Sequence, residues 1–202
     1  TYAGQVQMLL ATFVKVYCIV ILLHIAVILV QYFIACSVAQ KNPFRCIATM
    51  LPAYLTAIGT QSSAATIPVT LRQTKQNGVS EDIADFVIPL CATIHLSGST
   101  ITLTSCSIAV MMMNGMAVSL GVMFPFVMML GVVMVAAPGV PGGAVMAALG
   151  VLASMLGFTP DMLALMVALY LAQDSFGTAC NITGDGAIAI LVDKLAADRK
   201  AA

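Results

Sequence analysis

Asp174, Thr178, Asn181 and Asp185 follow one another at steps of four, three and four residues near the end of a 202-residue chain. That spacing lays all four side chains along one face of a helix. The surrounding sequence is apolar, and a carboxylate in such a setting is costly unless it meets a cation, a ligand or water. The expected chemistry is therefore binding, with the two acids facing a cation, another ligand or a water-filled cavity. Two further polar sets interrupt apolar stretches, Gln61-Ser62-Ser63 and His95-Leu96-Ser97-Gly98-Ser99, and a Pro-Gly-rich set runs from Pro138 to Gly143.

The elements that carry these residues must lie in a bilayer. The chain is 61% hydrophobic and 8% charged with zero formal net charge, and its mean hydropathy is +1.05. Those values exclude an ordinary soluble domain. With no long basic run, a nucleic-acid partner is not expected. The six cysteines are scattered, with no CxxC pair and no histidine at ligand spacing, and are read as packing residues.

The predicted fold class is an all-α integral membrane protein with two opposed re-entrant helical hairpins and broken helices. Residues 13–38 are long enough for one crossing at about 20 residues per span. The basic turn around Lys41 and Arg45 is placed in the cytoplasm by the positive-inside bias. Residues 43–76 are bounded by basic residues at both ends and broken at 59–63, which predicts a hairpin entering and leaving on the cytoplasmic side. Residues 81–114 form a spanning helix broken at 95–99, with Ser80 as its N-cap. Residues 120–156 form a second hairpin from the opposite side, broken at 138–143. Residues 159–197 return as one span carrying the polar stripe. Seven of the eight Lys and Arg, all but Lys15, then lie on the cytoplasmic side with the C-terminus. Helix plus hairpin, followed by the same pair inverted, puts binding sites near the midplane.

The motifs then become specific. The run from Thr60 through Ser62-Ser63 to Pro68 and Thr70, the break HLSGS, the tip Gly139-Val140-Pro141-Gly142 and the stripe D-x-x-G-T-x-x-N-x-x-G-D closely resemble the dicarboxylate/amino acid:cation symporters, the family of the glutamate transporters and their neutral amino-acid relatives. The resemblance covers essentially the whole chain as the C-terminal part of such a protein, a partial transport domain whose scaffold helices precede it and whose assembly is a homotrimer in the plasma membrane. It implies that Asp174 holds the substrate ammonium, and that Asn181, Ser62 and Ser63 hold its carboxylate with Thr178 beside them. It further implies that Val140 and Gly142 close over the substrate as a gate. Asp185 is implied as a sodium ligand, helped by carbonyls at Gly98 and Asn181, with His95 and Ser97 at the same site. No organic cofactor is implied.

Departures from the family pattern narrow the substrate. Relatives that carry acidic substrates have an arginine where this chain has Gly177, and the alternative arginine position is Gln61. Without a guanidinium a second carboxylate has no partner, so the expected substrate is a small neutral or polar amino acid such as serine, threonine or alanine. A dicarboxylate or acidic amino-acid symporter is the alternative. The family's NMDGT reads HLSGS here, so fewer sodium ions are expected, and His95 introduces the proton as an alternative coupling ion. Two readings from other classes are weaker. An intramembrane serine hydrolase would use Ser62 or Ser63, His95 and Asp174, but no G-x-S-x-G elbow is present. A passive channel would need a pore ring that one such chain does not supply.

Overall fold

The computed structural model describes the backbone of residues 2–201 and the side chains of residues 13–199; Lys200 lies outside the latter. The described residues form nine helices and no strand: α1 (Tyr2–Ala39), α2 (Pro43–Thr60), α3 (Ser63–Gln76), α4 (Glu81–Ile94), α5 (Ser97–Met113), α6 (Leu120–Met134), α7 (Gly143–Leu156), α8 (Pro160–Leu171) and α9 (Asp174–Ala201). Helices α2 and α3 fold back on each other, as do α6 and α7, while α4 and α5 run on as one interrupted helix. Among the described residues, three stretches have the length and apolarity to cross a membrane: Phe13–Ala39, Glu81–Met113 and Asp174–Arg199.

Local chemistry explains where the helices start and stop. Asn42 caps α2 by accepting the Arg45 N–H at 3.1 Å, with Pro43 in the first turn, where a missing N–H costs nothing. Helix α2 ends at Gln61, whose φ of 51° turns the chain into the left-handed region. One residue later, Ser62 Oγ accepts the Ala65 N–H at 3.2 Å and starts α3. Break and restart thus occupy two residues.

Two expectations are corrected. Residues 159–197 are not one uninterrupted span, because the helix is broken at Ala172 and Gln173, between α8 and α9. The Gln173 N–H bonds back three residues to the Tyr170 carbonyl at 2.9 Å, a tightened turn. The Gln173 side chain is wholly buried and donates to the Leu169 carbonyl at 3.1 Å. Ser80, in turn, does not cap α4 with its hydroxyl; both its N–H and its hydroxyl donate to Asp193 on α9. Lys75 bridges Glu81 and Asp85 at 2.9 Å each, exposed pairs of small energetic weight.

The core has two parts. One joins α5 to α6, α7 and α8 around Leu103, Phe126, Leu130 and Met166. The other joins α1, α2 and α4 to α9 around Tyr32, Met50, Ile88 and Ile190. Helix α9 packs against α1, α2, α3, α4 and α5, which sets the polar stripe against the α2–α3 hairpin and the interrupted α4–α5 helix. Leu22, Ile34, Leu55, Phe124 and Val132 are instead more than half exposed, as suits sides facing lipid or other apolar helices.

Candidate functional site

The break between α8 and α9 puts Asp174 in the first turn of α9, where the helix dipole favours a carboxylate. Asp174, Thr178, Asn181 and Asp185 are each less than 5% exposed. They serve two separate sites.

At the first, the outer hairpin tip meets Asp174 and the inner tip meets the outer one. Its Oδ2 accepts the Gly142 N–H at 2.7 Å. Three residues away along the same tip, the Gly139 carbonyl accepts Ser62 Oγ–H at 2.8 Å and the Ala64 N–H at 3.2 Å. The approach is tight: a Cβ on Gly139 would stand 2.6 Å from the Ala92 carbonyl oxygen. Gln61, Ser63, Leu96, Ser99, Gly139, Val140, Tyr170, Asp174, Thr178 and Asn181 are among the residues around the space that remains. That space is about 10 Å³, roughly what a single water needs. The tips close the site on each other.

Gly177 is not part of this lining. It lies at the crossing of α9 with α5, where a Cβ on Gly98 would stand 2.4 Å from the Gly177 carbonyl oxygen. Asn181 lines the cavity, yet its amide is engaged in holding α5. Its Oδ1 accepts the Gly98 N–H at 2.7 Å and the Ser99 N–H at 3.3 Å, and its Nδ2 donates to Ser99 Oγ at 2.9 Å. Leu96 at the start of α5 has no side chain able to cap, so a residue of another helix caps it.

The second site lies farther along α9. Asp185 Oδ1 is 2.8 Å from His95 Nδ1, and His95 Nε2 is 3.0 Å from the amide nitrogen of Gln31 on α1. Among the described residues, Asp185 Oδ2, Ser97 Oγ and Gln31 Oε1 are buried without a hydrogen-bond partner. Such oxygens suit a hard cation. The expected carbonyl help from Gly98 does not fit, because that oxygen accepts from His24 Nε2 and Thr102 Oγ1, both at 3.0 Å. The open Asp185 oxygen is the atom that a cation here would meet. Nor does His95 serve a tip serine, since its two ring nitrogens are engaged by Asp185 and Gln31; the hydrolase triad is not assembled.

His24 and Gln31 were not among the expected site residues. They lie seven apart on α1, hence on one face, and two polar residues so spaced in an apolar helix are the signal that marks them. Ser99, which lines the first site, belongs to the polar break at 95–99, whereas Tyr170 had no comparable signal.

The model of the sodium:dicarboxylate symporter family matches residues 1–195. The chain belongs to that family. That family is one of membrane transport proteins. It is 32% identical over 149 residues to excitatory amino acid transporter 2 of Homo sapiens, covering 73% of this chain and 26% of that protein. It is 29% identical over 194 residues to excitatory amino acid transporter 1 of Homo sapiens, covering 95% and 34%. With excitatory amino acid transporter 3 of Oryctolagus cuniculus it shares 34% identity over 175 residues, covering 86% and 33%. The chain thus spans about a quarter to a third of the length of these family members.

Proposed function

We propose that the chain is the substrate-carrying part of a cation-coupled symporter for a small neutral or polar amino acid. One observation carries this reading. The outer tip presents an N–H to Asp174 and a carbonyl to Ser62 and Ala64, a donor and an acceptor disposed as the ammonium and carboxylate of an α-amino acid would be. A substrate would take over both contacts, its ammonium on Asp174 and its carboxylate on the inner-tip donors, with charge-assisted bonds replacing neutral ones. The gate of Gly139, Val140 and Gly142 would then close over the substrate instead of into its place.

The side chain of the substrate would face Gln61, Thr178 and Tyr170. No Lys or Arg lines the cavity among the described residues, which supports a neutral substrate over the acidic ones for which the excitatory amino acid relatives are named. Sodium, the ion in the family's description, is the proposed driving cation, held at Asp185 Oδ2. Cation and substrate sites share α9 and α5, so occupancy of one would raise affinity at the other. The hairpins would open from opposite faces of a plasma membrane, with the C-terminus cytoplasmic and three copies assembled through helices preceding this segment.

Uptake by the full-length protein in proteoliposomes tests the reading. An inward sodium gradient should drive accumulation of serine, threonine or alanine, and not of aspartate or succinate. Accumulation of the acidic compounds alone would favour the acidic-substrate alternative, and a response to a proton gradient without sodium would move coupling to the proton.

A further inference from the structure

Asp185 is 1% exposed, and among the described residues no Lys or Arg reaches it. A carboxylate so buried needs a positive or donor partner. Here it has one in the imidazole of His95, while its second oxygen stays open.

The imidazole is held in place from α1. With the Gln31 amide nitrogen 3.0 Å from Nε2, the Gln31 N–H donates to the ring, which leaves Nδ1 as the protonated nitrogen aimed at Asp185. The fit is close: a Cβ on Gly184 would stand 2.5 Å from Gln31 Oε1 and 2.6 Å from His95 Cε1. Glycine next to Asp185 is what lets α1 and the helix break approach α9 at this point.

We infer that the His95 imidazole, clamped by Gln31, is a built-in competitor for the cation at Asp185. It donates to one carboxylate oxygen and reduces both the charge and the number of oxygens that a cation meets. Gln31 and His95 are accordingly positioning residues that set how weakly this site holds sodium. The inference rests on the cation-symport reading, and it concerns the substrate-free protein.

The test is sodium binding, measured with radioactive sodium, to the purified full-length protein without amino acid, beside separate serine binding. His95→Asn removes the imidazole donor and offers an amide oxygen; it should raise sodium affinity about tenfold or more. Gln31→Leu frees the ring and should raise it severalfold. Adding Asp185→Asn to His95→Asn should cancel the gain. A merely structural role for the pair predicts no gain, and misfolding cannot produce one. Unchanged or lower sodium affinity in the folded variants would overturn the inference, and Gln31→Leu decides alone should His95→Asn fail to fold. Loss of serine binding with the sodium gain intact would count against the amino-acid reading only.

Discussion

Replacing Asp174 by asparagine isolates what the carboxylate contributes, because the amide keeps the shape and can still accept the Gly142 N–H through its oxygen. Asp174 has one N–H donor at 2.7 Å and, among the described residues, no ion pair. Its charge is buried at a cost. The Asp174→Asn variant should therefore be at least as stable without substrate as the parent. With an amino acid bound, the balance reverses, since the substrate ammonium loses a buried charge partner. Truncating such a pair costs about 2–5 kcal/mol, a loss of roughly 30- to 4,000-fold in affinity. Equilibrium binding of labelled serine to the full-length protein reads that loss, while sodium binding without serine should stay within about twofold of the parent. A serine affinity lowered less than about threefold would refute the role of Asp174. Equal loss of serine and sodium binding, with a lowered melting temperature, would assign it to folding.

Three further substitutions test other parts of the account. Gln61→Arg places a guanidinium in the lining of the cavity and should shift preference toward aspartate by about tenfold or more, measured by competition against labelled serine. Asn181→Ala uncaps α5, leaving the Gly98 and Ser99 N–H groups without their acceptor; about 1–3 kcal/mol of stability should be lost for a buried donor so exposed, read from denaturation in detergent. Gly139→Ala drives a Cβ to 2.6 Å from the Ala92 carbonyl oxygen and should hold the outer tip away from the inner one, speeding labelling of a cysteine placed at Val140 severalfold relative to the same cysteine in the parent.

How legible these features were depended on whether their cause was local. The α2–α3 and α6–α7 hairpins were readable because Gly59 and Ser62-Ser63, and Pro138 to Gly143, interrupt apolar runs with residues that disfavour helix. The His95–Ser99 break was readable for the same reason. The interruption at Ala172-Gln173 was not, since Leu171, Ala172 and Gln173 are good helix formers and the turn is tightened by burial of Gln173. The polar stripe was legible from its period, which placed Asp174 and Asp185 on one helix face. Their different partners were not, because Gly142, His95 and Gln31 come from three other segments. Gly177 marks the same limit: the family resemblance expects an arginine position there, while its place in the fold is the α5 crossing.

Comparison of serine and aspartate binding to the full-length protein, each in sodium and in choline, tests the central claim most directly. The account predicts saturable serine binding that requires sodium and is at least about tenfold tighter than aspartate binding. Tighter binding of aspartate, or serine binding unaffected by replacing sodium with choline, would contradict it.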